Sequence, residues 1–182
     1  RFAPRATNAI ADNLHAIFPR ASEKDLRGRA LETYRSYARD TIDFLRALDD
    51  PDVAQAFDFS EQTRAHAVAL HEGGRGALLV TGHFGNWEAG GLLMARVLRL
   101  PLTVVAMREP DDTVNRIRNE IRGRMGIETI EVRQSLDTPL KIRAALARNR
   151  FVAILIDRHI GRDRVPVTLF GRQAWLLRTP LL

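Results

Sequence analysis

Two textures of hydrophobic spacing divide the chain. Up to residue 72 apolar residues recur three and four apart, the period of a helix with one buried face. Ile10, Leu14 and Ile17 follow this spacing until Pro19 interrupts it. Ser22-Glu23-Lys24-Asp25 has the form of a helix cap, and Leu26, Ala30, Tyr34, Ala38, Thr41, Leu45 and Leu48 then make one stripe that ends before Pro51. Tyr34, Tyr37 and Phe44 lie on or near that stripe and are expected to pack in the core. From Gly76 onward short apolar runs alternate with amphipathic stretches. Strands are expected at Ala77–Val80, Leu102–Ala106, Thr129–Val132 and Phe151–Ile156, and helices at Trp87–Leu98, Val114–Met125 and Thr138–Arg148. A last strand, Val165–Phe170, contains Pro166 and is expected at a sheet edge.

Continuously apolar strands need cover on both faces, and strand–helix alternation implies parallel order. The fold class expected is therefore α/β, a mostly parallel sheet covered by helices, with an N-terminal helical layer. The expected organisation is one domain, residues 1–72 forming the helical layer and 73–182 the α/β part. A length of 182 residues suits one sizeable core. The chain starts at Arg1 without an initiator methionine and stops mid-pattern at Pro180-Leu181-Leu182, which reads as a piece trimmed at both ends.

Charge narrows the partners. The net charge of +6 rests almost wholly on arginine, since Lys24 and Lys141 are the only lysines. Guanidinium presents a fixed fork of donors to phosphate and carboxylate, so anionic partners are favoured. Neither a helix-turn-helix nor a pattern of aromatics interleaved with basic residues is evident, which argues against nucleic acid. Cysteine is absent, which excludes disulfides, thiolate zinc sites and a cysteine nucleophile. No apolar run approaches the roughly 20 residues that cross a bilayer.

The chemistry concentrates in Thr81-Gly-His-Phe-Gly-Asn-Trp-Glu-Ala-Gly-Gly91, directly after a strand and opening a helix. In open α/β sheets ligands bind at such carboxyl ends of strands. Gly82 and Gly85 let the backbone turn and approach a substrate closely. Asn86 suits a helix N-cap, which puts Glu88 in the first turn. His83, five residues earlier, is then placed for an imidazole–carboxylate hydrogen bond to Glu88, a pairing suited to taking a proton from a hydroxyl. No serine or cysteine lies in the loop. Thr81 and Ser135 remain formal candidates, but direct attack by an acceptor hydroxyl is more economical than a covalent intermediate. His15, His66, His71 and His159 are expected at the surface.

The string His83-Phe-Gly-Asn-Trp-Glu88 resembles the His-x4-Asp/Glu motif of the lipid A biosynthesis (lauroyl/myristoyl) acyltransferase family, to which phosphatidylinositol mannoside acyltransferase-like proteins also belong. Phe151-Val-Ala-Ile-Leu-Ile-Asp157 followed by Val165-Pro-Val-Thr-Leu-Phe-Gly171 is similar to the family's buried strand ending in Asp and the strand closing on Phe-Gly. Arg108 and the stretch Arg116–Arg124 fall where the family carries an arginine block. Two departures stand out: Met107-Arg-Glu-Pro110 replaces an aromatic with Arg-Pro, and Arg158 stands where Gln is common.

The resemblance implies a glycerolipid-acyltransferase-like fold and transfer of a fatty acyl chain from an acyl carrier protein or CoA thioester to a hydroxyl of a membrane glycolipid. It implies His83 as general base, Glu88 as its orienting acid, and Arg122 or Arg108 on a phosphate or the oxyanion. Asp157, Gly85 and Asn86 would border the substrate. Neither a metal nor a bound cofactor is required. The implied location is the cytoplasmic face of the bacterial inner membrane, peripheral or anchored by a segment missing from this chain, with the basic surface on anionic lipid. The rival readings are a non-catalytic basic module binding lipid headgroups on the same fold and a thioester hydrolase using the same pair.

Overall fold

A computed structural model describes residues 4–50, 52, 55, 57–132, 137–158 and 161–178. Ser135 and His159 lie outside the described residues. Three helices lead: α1 (Pro4–Ile17), α2 (Glu23–Ala47) and α3 (Glu61–Glu72). There follow β1 (Ala77–Thr81), α4 (Trp87–Leu92), β2 (Leu102–Ala106), α5 (Asp112–Arg124), β3 (Glu128–Glu131), α6 (Asp137–Ala147) and β4 (Phe151–Leu155). A hairpin of β5 (Val165–Leu169) and β6 (Arg172–Leu176) closes the described chain.

The four strands β1–β4 form a parallel sheet in the order β1-β4-β2-β3. The last of these four in sequence is thus inserted between the first and the second. Successive residues of β4 point to opposite faces, which explains its unbroken apolar run. Phe151 packs with Phe44, Leu92, Leu100, Leu102, Met125 and Ile127 on one face. Val152 and Ile154 pack with Ile130, Ile142, Ala145 and Leu177 on the other. One face is therefore covered by α2, α4 and α5, and the other by α6 and the end of the hairpin.

Local chemistry sets the helix ends. The Ser22 hydroxyl accepts from Asp25 N–H at 3.2 Å, and Asp111 accepts from the N–H groups of Thr113 and Val114 at 2.8 and 3.0 Å. These contacts satisfy donors that a first turn leaves open. The expected stripe of α2 turns as it runs. Ala30 and Phe44 are buried, whereas Ala38, Thr41 and Leu45 are exposed. The helix expected over Trp87–Leu98 is α-helical only to Leu92 and then widens to a π-turn over Leu93–Val97.

The strand expected at a sheet edge, Val165–Leu169, is an edge strand of a separate ribbon: it pairs antiparallel with β6, a strand the apolar pattern did not announce. In a two-stranded ribbon every strand is an edge, so Pro166 is accommodated all the same. His71 is not a surface residue: its ring lies 6.2 Å from that of Phe151, and its Nδ1 is buried without a hydrogen-bond partner. The helix α3 that carries it lies between Ser60, its cap, and Gly73.

Candidate active site

Strand register assembles the site. Thr81 and Leu155 are opposite each other at the carboxyl ends of β1 and β4. Two residues beyond each lie His83 and Asp157, so the register brings them together across 74 positions of sequence. His83 Nδ1 and Asp157 Oδ1 are 2.8 Å apart, and the His83 backbone N–H donates to Asp157 Oδ2 at 3.0 Å. One carboxylate thus fixes both the ring and the backbone of the same loop residue. Burial pushes the Asp157 carboxyl up, but the hydrogen bonds from the His83 N–H and ring, with their charge interaction, outweigh it and hold Asp157 below its ordinary value. An ionised Asp157 favours the ring tautomer that carries its proton on Nδ1, which leaves Nε2 as the acceptor when the ring holds one proton. The ring stands edge-on to Trp87, centroids 4.8 Å apart.

Two glycines permit the loop. A Cβ on Gly82 would meet the Phe84 ring at 2.8 Å and the Asp157 carboxyl carbon at 3.4 Å, so a side chain there would push the exposed Phe84 ring aside and press against Asp157. Gly85 sits at φ +52, in the left-handed region, where the chain turns into α4. Asn86 then caps that helix, accepting from Ala89 N–H at 3.1 Å, while its amide donates to the Asp40 carbonyl at 2.7 Å. The loop is tied at one end to β4 and at the other to α2.

Glu88 is not the partner of His83. Its carboxylate accepts from Arg122 Nη2 at 2.8 Å and stands 3.8 Å from Arg118 Nη1. The turn at Gly85 and the rise into α4 direct Glu88 to α5 instead, and the hydrogen bond expected for it is made by Asp157. Arg122 is nearly buried, its side chain 12% exposed. Arg118 also pairs with Glu109 at 2.9 Å and donates to the Tyr37 hydroxyl at 3.3 Å. Arg118 lies four residues before Arg122 in the arginine stretch 116–124, so helical period puts both on one face of α5. Arg108, by contrast, is not brought to the cleft. It is exposed and pairs with Asp112 at 2.6 Å, whose hydrogen bond and charge raise it above the ordinary arginine value.

His83, Glu88, Arg118, Arg122 and Arg158 line one open cleft of about 1260 Å³. A smaller, apolar groove of about 280 Å³ runs beside it between α2 and α5, lined by Phe44, Leu45, Val114, Ile117 and Ile121. Tyr37, Asn86, Trp87, Glu88, Arg118 and Arg122 border both. The groove explains why Leu45, Val114 and Ile117 are exposed although the helical pattern points them inward. Thr81 also lines the cleft at the end of β1. No cluster of ligating side chains suited to a metal occurs among the described residues. Nor is any helix there long and apolar enough to cross a membrane.

The arrangement offers an oriented base, guanidinium donors for an anion and an adjoining apolar groove. The chain is 28% identical over 148 residues to the phosphatidylinositol mannoside acyltransferase of Mycolicibacterium smegmatis, covering 81% of this chain and 47% of that protein. It is 26% identical over 154 residues to the protein of the same name from Mycobacterium tuberculosis, covering 84% and 48% respectively. The chain thus spans about half the length of these relatives. The family model for bacterial lipid A biosynthesis acyltransferases matches residues 1–181. The chain belongs to the bacterial lipid A biosynthesis acyltransferase family.

Proposed function

We propose that this protein transfers a fatty acyl chain from a thioester donor, acyl carrier protein or CoA, to a hydroxyl of a membrane glycolipid. The observation that carries the reading is the 2.8 Å contact of His83 Nδ1 with Asp157 in a cleft that also holds Arg118 and Arg122. His83 Nε2 takes the acceptor hydroxyl proton as the oxygen attacks the thioester carbonyl. Asp157 steadies the imidazolium that forms. The carbon–sulfur bond then breaks, and the imidazolium returns its proton to the departing thiolate. The products are an ester and a free thiol, with His83 restored. Glu88 orients Arg122 and Arg118, whose remaining donors face a phosphate of donor or acceptor or the oxyanion. Backbone N–H groups from Gly85 to Trp87 supply further oxyanion donors. The acyl chain lies in the apolar groove between α2 and α5, which meets the polar cleft at Tyr37 and Trp87. No metal or bound cofactor takes part in this scheme.

The names of the relatives favour a phosphatidylinositol mannoside-like acceptor, and the family description a lipid A-like one. Either acceptor would be an anionic membrane lipid, and the place of work proposed with it is the cytoplasmic face of the bacterial inner membrane, with the protein either peripheral there or anchored by a segment outside this chain. Incubation of purified full-length protein with labelled acyl thioester and each acceptor, read by mass spectrometry, tests the reading. The expected product is an acylated glycolipid formed one-for-one with free thiol. Release of free fatty acid at the same rate with and without acceptor would instead identify a hydrolase. Acceptor binding with no chemistry would identify a headgroup-binding module.

A further inference from the structure

The β5–β6 hairpin turns on Phe170-Gly171, with Leu169 paired to Arg172. Both turn residues are left-handed, at φ +51 and +71, as a two-residue hairpin turn that matches the twist of its strands requires. The first of these positions suits Asn, Asp or Gly. Phenylalanine there is held in a backbone region that its side chain disfavours, a strain that asparagine would relieve. Nothing in the turn compensates it: Leu169 is 51% and Phe170 60% exposed, and all residues from Thr168 to Gln173 are exposed. A turn tip would ordinarily be polar.

Charge surrounds this apolar tip. From Arg158 to Arg178 there are five arginines and one acid, Asp163, which lies 3.7 Å from Arg178. Arg164 lies over the Trp175 ring at 4.3 Å. The base of the hairpin is pinned beside the catalytic pair, because Leu177 N–H donates to the carbonyl of Ile156, the residue before Asp157, at 2.8 Å.

We propose that Leu169 and Phe170 form an interfacial anchor that inserts among the headgroups of an anionic bilayer, with the hairpin arginines on lipid phosphates. An aromatic and a leucine flanked by arginine have the composition of an interface-seeking segment. Insertion of the tip sets the His83–Asp157 pair against the surface that carries the acceptor. The choice of a membrane rests on the acyl-transfer reading, but the test reads binding rather than turnover.

The test uses the full-length protein and its Phe170→Asn variant. Asparagine accepts the left-handed turn, so the thermal midpoint in buffer holds or rises while the apolar wedge is lost. Partition onto vesicles of equal parts phosphatidylglycerol and phosphatidylcholine is expected to fall about tenfold, the equivalent of exposing most of one phenylalanine side chain. Leu169→Ser lowers it further, and Leu140→Ser, at an exposed leucine on α6, leaves it unchanged. Turnover of a monomeric, water-soluble acceptor by Phe170→Asn stays at the wild-type level. Unchanged partition for Phe170→Asn, or an equal loss for Leu140→Ser, overturns the proposal. A drop in thermal midpoint also overturns it, because the tip would then be packed against the rest of the protein. A rate loss confined to the carrier-protein thioester at unchanged partition overturns it in favour of a protein partner. A protein that binds through this tip yet transfers no acyl chain would sustain the anchor while removing the acyl-transfer reading.

Discussion

Two acid–base pairs at the cleft are built in different ways. His83 and Asp157 stand two residues beyond opposed strand ends, and the parallel register of β1 and β4 dictates their meeting. Glu88 and Arg122 belong to α4 and α5, and their meeting depends on how those helices pack over the sheet. The first pair remains partly open, its side chains 31% and 37% exposed, with His83 lining the cleft. The second is more enclosed, at 25% for Glu88 and 12% for Arg122. A base must reach substrate and exchange protons, so partial exposure on rigid supports suits it. A guanidinium that presents donors to an anion benefits instead from being held by a carboxylate at its back. On the proposed reading, equal contact distances of 2.8 Å carry different work.

Mutation of the strand-borne pair has the largest expected effect. His83→Ala lowers kcat by a factor on the order of 10² to 10⁴ with the thermal midpoint little changed. Asp157→Asn comes close to that loss, because an amide can hold the ring in the wrong tautomer and cannot stabilise the imidazolium. The double variant is expected to be hardly worse than His83→Ala alone, as for residues that act as one unit. Multiplicative losses would show instead that the two side chains work separately.

The helix-borne pair should separate stability from chemistry. Glu88→Gln leaves Arg122 nearly buried without its counter-charge and costs about 1–3 kcal/mol of stability. The apparent KM rises more than kcat falls, since the dyad itself is untouched. If Glu88→Gln reproduced the kcat loss of His83→Ala at full stability, the assignment of Glu88 to the arginines would be wrong. Arg122→Lys keeps the charge but loses the planar fork, so its KM for an anionic substrate rises roughly tenfold, a loss of about 1.4 kcal/mol. Arg116→Lys on the same helix is expected to be silent, because Arg116 is 64% exposed and pairs with Glu120 on the solvent side of α5. Identical kinetics for the two lysine variants would reduce Arg122 to part of a general basic surface.

How far the sequence disclosed these pairs follows from what each needed. The β1 loop, the Asn86 cap and the strand ending in Asp157 are local features, readable from turn chemistry and apolar runs. The partner of His83 was not readable, because it depends on β4 lying beside β1 rather than after β3. A carboxylate five residues away looks closer than one 74 residues away until strand order is known. Arg122 was accessible through helical period, since Ile117, Ile121 and Met125 mark the apolar side of α5. Arg108 was misplaced for want of one local contact, the i,i+4 pair with Asp112 that holds it at the surface. Leu45 and Thr41 fitted the α2 stripe yet line a groove, because helical period reports an apolar face and not whether protein or ligand covers it.

The smallest effect sharpens the comparison through acid titration. Asp157 has its folded-state pKa below its ordinary value, chiefly because hydrogen bonds from His83 overcome the opposing effect of burial. A depressed carboxyl stabilises the fold fully above its unfolded pKa and loses that contribution as pH falls through the folded one. The wild type should therefore exceed Asp157→Asn in thermal midpoint by its largest margin near neutrality. That margin should shrink below the ordinary carboxylate range and approach a constant once Asp157 is protonated in both states. Because the carboxylate is 37% exposed, the change is modest and partly screened by solvent. Melting curves of both proteins at fixed ionic strength across the acid range measure it directly. Parallel curves at every pH would mean that the His83–Asp157 contact contributes no net free energy through its charge. Asp157 would then act in catalysis by orienting the ring, and the kcat loss in Asp157→Asn would trace to the tautomer alone.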